Sequence, residues 1–229
     1  GISALKLADE GEALRCFEQY LQLEPADGEI FLEKGRILMK MGRFKEALQA
    51  FQKVIEIDPK VEAAHFNRGL ILERRGMDED AVAAFNRALE LNDDNREAWA
   101  HKEAILTRLG RTADLIPCYD KALEVNPQDH KTHFKRAQAL RKLGRFDDAT
   151  PNLERACEIL PTYEDAWVER GRNYLSLGKP HLAVEAFERV LKINPKNIQA
   201  LRFLGDAYFD KTDFERASTC YQSVVEQGA

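Results

Sequence analysis

The chain has 229 residues, with 34 lysines and arginines against 39 aspartates and glutamates, so its formal net charge is −5 at neutral pH. This acidic balance argues against a general affinity for nucleic acid or anionic membranes, because both need an excess of positive charge. No apolar run approaches the roughly 20 residues of a membrane-spanning helix, which argues against a helical membrane protein.

A repeat of 34 residues organises the sequence without insertion or deletion. A period of this length is typical of a helix-turn-helix unit that buries its apolar face only by stacking on its neighbours. The recurring residues are Pro25, Pro59, Pro127, Pro161 and Pro195, with Asp93 at the remaining position; Gly42, Gly76, Gly110, Gly144 and Gly178; Ala13, Ala47, Ala81, Ala149, Ala183 and Ala217; and Phe17, Phe51, Phe85, Tyr119, Leu153, Phe187 and Tyr221.

Each recurring residue has a mechanical role in such a unit. Glycine adopts the positive φ that ends the first helix, and proline ends the second. Alanine lets two helices approach closely, and the large side chain one turn later fills the space beside it. The pattern therefore predicts an all-α fold of closely packed, antiparallel helix pairs.

The repeat that begins at Glu164 resembles the tetratricopeptide repeat (TPR) motif. The matching residues are Trp167, Gly171, Tyr174, Ala183, Phe187 and Pro195. The resemblance covers essentially the whole chain, and it implies a right-handed superhelical solenoid of stacked helix pairs. Departures from the motif are Glu103 and Ala137 in place of glycine, His65 and His133 in place of tryptophan, and Leu115 in place of alanine.

In chain order, we expect a partial repeat made of a truncated first helix and a second helix, followed by six further repeats. Their bounds are 1–27, 28–61, 62–95, 96–129, 130–163, 164–197 and 198–229. In repeat 28–61, the first helix is predicted over about 29–41 and the second over about 45–57. The other repeats copy this arrangement, which predicts some fourteen helices in all.

Both ends of the chain are predicted to be truncations of the repeat array. The chain begins inside a first helix at Gly1, and it stops at Ala229 without the polar terminal helix that solenoids need for solubility. We expect Ala217, Tyr221 and Val224 to be partly uncovered. The chain is then either a fragment of a longer protein or associates end to end with another copy.

No catalytic or metal-binding motif occurs, so we predict a chain that is not an enzyme and holds no cofactor or metal. His130 and His133 are three residues apart and could in principle share a metal, but we expect no carboxylate or thiol partner for them. Cys16, Cys118 and Cys220 share one register with mostly small residues, which predicts packing roles for them.

The remaining candidate surface is the groove lined by the first helices, which in TPR arrays generally holds a peptide. Four cations that lack an opposite charge at equivalent heights are predicted to form a basic strip there: Arg74, Arg108, Lys142 and Arg172. Lys135 and Gln138 share the helical stripe of Lys142. Phe66, Phe134 and Val168 lie beside the strip. A mixed basic and apolar groove is suited to an acidic, amphipathic peptide.

Two interpretations of these charges stay open. In one, Lys131 and Lys135 neutralise Asp165 and Glu169 on the next helix, at a gain of about 0–1 kcal/mol per exposed pair, and the surface binds nothing. In the other, the basic strip binds a partner. The carboxylate clamp and the asparagine ladder known in some TPR proteins are predicted to be absent, because Asn67 alone fits either pattern.

We therefore predict a non-catalytic, cytoplasmic scaffold for protein–protein interaction, with an acidic protein or peptide as its partner and neither nucleic acid nor membrane. The rival hypothesis is a structural arm of a larger enzyme or transport machine whose active domain lies outside this sequence. A third hypothesis, nucleic-acid binding through the basic strip, predicts a steep fall of affinity with salt and is disfavoured by the net charge.

Overall fold

The computed structural model describes the backbone of residues 2–228 and the side chains of residues 10–227. This part of the chain contains helices and turns and no β-strand, and none of its helices is long and apolar enough to cross a membrane. The helices are α1 (Ile2–Leu23), α2 (Gly28–Lys40), α3 (Phe44–Ile57), α4 (Glu62–Arg74), α5 (Asp78–Leu91), α6 (Arg96–Arg108), α7 (Thr112–Val125), α8 (His130–Lys142), α9 (Phe146–Ile159), α10 (Glu164–Ser176), α11 (Pro180–Ile193), α12 (Ile198–Asp210) and α13 (Phe214–Gly228).

Two compact units divide the chain. Unit 1 is Gly1–Gly110 with α1 to α6, and unit 2 is Arg111–Ala229 with α7 to α13. Within each unit every helix packs on the next one in sequence. In addition, the first helices of neighbouring repeats touch: α2 contacts α4 in unit 1, and α10 contacts both α8 and α12 in unit 2. The predicted all-α fold of stacked helix pairs is confirmed.

A three-residue turn joins the two helices of a pair, and glycine allows its backbone to reverse. Gly42, in the turn after α2, has a φ of +74°. The amide of Arg43 donates to the carbonyl of Leu38 at 2.9 Å, which closes the end of the helix. The helices predicted over 29–41 and 45–57 agree with α2 and α3 to within one residue.

An aromatic ring packed directly on glycine holds most helix pairs together. A β-carbon on Gly171 in α10 would lie 2.5 Å from the ring of Phe187, which is fully buried in α11. In α8, Ala137 replaces this glycine, and Leu153 on α9 replaces the ring. The smaller leucine leaves room for the extra methyl group, so this departure from the TPR motif keeps the helices closely packed. The other glycine–ring pairs are Gly35 with Phe51, Gly69 with Phe85, and Gly205 with Tyr221.

The amino-terminal helix corrects one prediction. Residues 2–23 form the single helix α1, where we expected a truncated first helix and a second helix within 1–27. Ala8 stands there in the glycine register, and alanine favours a continuous helix over a turn with positive φ. The described residues therefore form thirteen helices rather than fourteen. Gly1 and Ala229, where we placed the cut ends, lie outside the described residues.

Burial in α13 differs in part from expectation. Ala217, expected to be partly uncovered, is only 2% exposed, because it packs into the apolar cluster that α13 shares with α11 and α12. Tyr221 and Val224 are half-buried, as expected. The large exposed apolar side chains of this helix are instead Phe214, 59% exposed, and Val225, 70% exposed.

The four cysteines are free thiols. Cys118 is buried and Cys220 half-buried, which agrees with packing roles, whereas Cys16 is exposed. Cys157 is buried as well, and burial raises the pKa of its thiol to about 12. A thiol that stays protonated at neutral pH is a weak nucleophile.

Candidate functional site

A pocket of about 380 Å³ lies between α8 and α10 in unit 2. We call it the α8–α10 pocket. Its lining consists of five polar side chains: Gln138, Arg141 and Lys142 from α8, and Glu169 and Arg172 from α10. Three of these are cations and one is an anion at neutral pH, so the pocket has an excess of positive charge.

The carboxyl-terminal end of α8 brings cations to this pocket. Arg141 and Lys142 occupy the last turn of the helix, just before Gly144 reverses the chain with a φ of +74°. Cations in a last turn are favoured by the partial negative charge of the helix carboxyl terminus. Gln138 precedes Lys142 by four residues, so the two side chains lie on one stripe of α8.

The carboxylate of Glu169 joins the two arginines of the pocket. Arg141 Nε lies 3.0 Å from Glu169 Oε2, and Arg172 Nη1 donates to Glu169 Oε1 at 2.5 Å. The side chains of Arg141 and Glu169 are only 11% and 15% exposed. A pair this deeply placed is costly to break, because removing one partner leaves the other charge buried without compensation.

The buried side-chain amide of Asn173 holds Arg141 in position. Asn173 on α10 is 1% exposed, and its side-chain oxygen accepts a hydrogen bond from Arg141 Nη1 at 3.0 Å. Its side-chain nitrogen donates to the carbonyl of Phe146 and to Thr150 Oγ1, both at 2.9 Å. The guanidinium carbon of Arg141 also lies 5.6 Å from the ring centroid of Phe146. Arg141 is therefore a fixed part of the pocket wall.

Arg172 and Lys142 form the outer edge of the pocket. The guanidinium carbon of Arg172 lies 5.2 Å from the ring centroid of Phe203 on α12, and that ring stacks on Phe187. Its side chain nevertheless remains 39% exposed. Lys142 is exposed and has no ion pair among the residues that the structure describes. Both cations can thus meet a ligand from solvent.

The structure brings three of the predicted site residues together: Gln138, Lys142 and Arg172. Lys135 is exposed on α8 but does not line the pocket. Phe134 is half-buried, with its ring 5.1 Å from that of Tyr163. Val168 is 4% exposed, so the prediction that it could contact a partner is wrong.

Three predicted residues lie in unit 1 and make intramolecular contacts there. The ring of Phe66 packs 5.9 Å from that of Phe85 and 6.3 Å from that of His101. Arg74 lies over the ring of Phe44 at 5.8 Å. Arg108 Nε and Nη2 donate to the two carboxylate oxygens of Asp78 at 2.8 and 2.6 Å.

Two of the four cations of the basic strip have an acidic partner that does not lie at an equivalent height on a neighbouring first helix. Arg108 pairs with Asp78, and Arg172 pairs with Glu169. We compared residues at equal heights on neighbouring first helices, whereas Asp78 begins the second helix α5, and Glu169 precedes Arg172 on the same helix. The proposed neutralisation of Glu169 by Lys135 also differs from the structure, in which Arg141 and Arg172 hold this carboxylate.

Sequence reasoning missed the roles of Arg141 and Glu169 in the pocket, although one signal pointed to them. Asn173 occupies a register in which every other repeat from residue 28 onward has an apolar side chain: Ile37, Ile71, Ile105, Ala139 and Ala207. An amide at such a position must find hydrogen-bond partners, because a buried polar group without them is strongly destabilising. Arg141 is one of those partners.

Among the described residues, no group of three or more His, Cys, Asp or Glu side chains is placed so that it could hold a metal ion. The ring nitrogens of His133 lie 3.3 Å from Asn152 Oδ1 and 3.1 Å from the carbonyl oxygen of Pro127. Both nitrogens therefore have partners within the protein.

The sequence and the fold were compared with known proteins. A tetratricopeptide repeat family profile matches residues 1–62, 32–96 and 168–229, which together exceed half of the chain. A second profile of the same description matches residues 118–150. A comparison with curated protein sequences gave no match.

Solved structures with a similar fold have low sequence identity. YrrB, described as a TPR protein with an unusual peptide-binding site, is 22% identical over 81% of this chain and 95% of its own, with a TM-score of 0.57. MamA from Desulfovibrio magneticus RS-1 is 21% identical over 73% of this chain and 94% of its own, with a TM-score of 0.60.

A third structure, a Naa15/Naa10 complex bound to HypK, is 16% identical over 98% of this chain with a TM-score of 0.81. The match covers 36% of the length of the chain compared in that complex. At these identities, the three structures support the fold and nothing more. Taken with the profile matches and the stacked helix pairs, they lead to one conclusion: the chain belongs to the tetratricopeptide repeat family.

Proposed function

We propose that the protein is a non-catalytic interaction scaffold and that its α8–α10 pocket binds an acidic segment of a partner protein. The observation that carries the proposal is the arrangement of Arg141, Lys142 and Arg172 around a single carboxylate, Glu169. One anion does not neutralise three cations, so the pocket attracts a further negative charge.

The pocket has a fixed inner part and an accessible outer part. Arg141 is held by Glu169, Asn173 and the ring of Phe146, which fixes the position of positive charge before a ligand arrives. Lys142 and the exposed face of Arg172 supply N–H donors to an incoming carboxylate. Preorganised donors favour binding, because little conformational entropy is lost when the ligand arrives.

The wider family agrees with this role. TPR arrays typically act as scaffolds for other proteins, and YrrB, which shares the fold, is described as having a peptide-binding site. The excess of positive charge in the pocket suits an acidic peptide segment.

A charge-reversal experiment tests the proposal. In the variant Lys142→Glu/Arg172→Glu, the affinity for a short fluorescein-labelled peptide rich in glutamate and leucine should fall at least about tenfold, because a charge-assisted contact is worth about 1.5–3 kcal/mol. Binding is measured by fluorescence anisotropy. Circular dichroism checks that the variant remains helical.

The matched control is Lys179→Glu/Lys196→Glu, which makes the same change of net charge at two exposed turn residues of unit 2. It should retain most of the affinity. Equal losses in both double variants would mean that net charge, not the pocket, controls binding. Wild-type affinity in the pocket variant would rule out the assigned site. Arg108 is left unchanged, because it lies in unit 1 and does not line the pocket.

A further inference from the structure

One ion pair recurs between the second helix of a repeat and the first helix of the next. Its basic residue follows its acidic residue by 16 positions. The pairs are Glu18 with Lys34 at 3.1 Å, Asp120 with Arg136 at 2.6 Å, and Glu154 with Arg170 at 3.5 Å. At this position of the repeat, a carboxylate on a second helix therefore pairs with a cation on the next first helix.

Between α3 and α4 the same position holds an unmatched cation. Arg68 stands in the basic register, but Gln52 occupies the acidic one. Among residues 10–227, Arg68 makes no hydrogen bond, ion pair or ring contact. The amide of Gln52 instead donates to Glu56 Oε1 at 3.4 Å, and Lys53 Nζ lies 2.8 Å from the other oxygen of Glu56.

A groove of about 590 Å³ opens beside Arg68. Leu48 and Leu72 form its apolar part, and Leu72 is only 5% exposed. Gln52, Lys53 and Glu56 are exposed along its edge. The groove lies within unit 1, on helices α3 and α4, and shares no residue with the α8–α10 pocket.

We propose that this groove, the α3–α4 groove, binds a partner segment in which a glutamate lies next to leucine. The carboxylate would take the place that Glu154 has beside Arg170, and the leucine would pack on Leu48. Charge complementarity selects this occupant, because Lys53 and Glu56 neutralise each other and Arg68 leaves one positive charge unmatched. The apolar contacts add affinity without setting the sign of the charge.

Substitution of Gln52 by glutamate gives a sharp test, because it supplies the missing carboxylate from within the chain. In Gln52→Glu, Arg68 should pair as Arg170 does with Glu154, so the groove is occupied while the fold is kept. The probe is a short labelled peptide with one glutamate flanked by leucines, and the reference peptide has glutamine instead. All measurements use the Lys142→Glu/Arg172→Glu background, so that the α8–α10 pocket does not contribute.

The glutamate peptide should bind at least about tenfold more tightly than the glutamine peptide. Gln52→Glu should lower the affinity for the glutamate peptide by about the same factor. Gln128→Glu, the same change at an exposed turn residue in unit 2, should leave the affinity unchanged. Equal binding of the two peptides, or an unchanged affinity in Gln52→Glu, would overturn the proposal. Because other variants test the α8–α10 pocket, failure of one proposal leaves the other intact.

Discussion

In four helix pairs an aromatic ring packs directly on a glycine, and another pair of the same chain replaces both residues. Gly171 packs against Phe187 in one repeat, whereas Ala137 packs near Leu153 in another. In these two repeats a larger residue on one helix faces a smaller one on the other, which keeps the space between the helices filled.

This relation predicts non-additive mutations. Gly171→Ala alone should lower the free energy of unfolding by about 1–3 kcal/mol, because the new β-carbon meets the ring of Phe187 at 2.5 Å. Phe187→Leu in the same chain should recover about 1 kcal/mol relative to the sum of the single changes. Urea unfolding of the four proteins measures the coupling. Simple additivity would show that the ring does not respond to the methyl group.

Thr212 is the residue with the least favourable backbone conformation among those described. Its φ is +60°, at a position where Gly42, Gly76, Gly110 and Gly144 have φ values of 69° to 74°. A β-branched residue pays about 1–2 kcal/mol for this left-handed conformation.

We therefore expect Thr212→Gly to raise the free energy of unfolding by about 0.5–1 kcal/mol, since the greater entropy of unfolded glycine offsets part of the gain. The converse change, Gly178→Thr, should lower it. Thermal and urea unfolding report both effects. A less stable Thr212→Gly protein would mean that the threonine side chain makes a contribution larger than the backbone cost.

The ends of helices explain both a success and an error of the sequence predictions. The bounds of α2 and α3 could be predicted because glycine and proline act locally on the backbone. The pair between Asp78 and Arg108 could not, because it joins the first turn of α5 to the last turn of α6, and the distance between two helix ends depends on packing. Each of the two residues also has the charge that its own helix end favours.

The Asp78–Arg108 pair predicts a pH-dependent stability. The hydrogen bond from Arg108 lowers the pKa of Asp78 below its ordinary value of 3.8, so the folded protein holds this proton less tightly than the unfolded chain. The contribution of the pair is therefore present above pH 3.8 and is lost as the pH falls through the lowered pKa.

Asp78→Asn should accordingly be less stable than the wild type at neutral pH, and the difference should shrink towards zero in acid. Asp80→Asn, in the same first turn of α5, should show a smaller loss. Urea unfolding at several pH values tests this. A constant difference between wild type and Asp78→Asn at every pH would contradict the assigned pair.

Across all the repeats, regularity predicts the fold and departures from regularity locate the candidate sites. Asn173 interrupts an apolar register and anchors Arg141, and Gln52 interrupts an acidic register and leaves Arg68 unmatched. Periodicity could not predict which side chains meet across a helix interface, because the reach of an arginine covers several positions on a neighbouring helix. The net charge of −5 did not exclude a locally positive pocket, because it is a sum over the whole chain and carries no information on where the charges lie.

The assignment of the α8–α10 pocket can be tested by mapping the bound peptide with nuclear magnetic resonance. Titration of isotope-labelled protein with the acidic peptide should shift the Nε–Hε signal of Arg172 and the backbone amides near the end of α8, with smaller shifts elsewhere in unit 2. Shifts centred on other helices, with the signals of Arg172 and Lys142 unmoved at saturation, would contradict it.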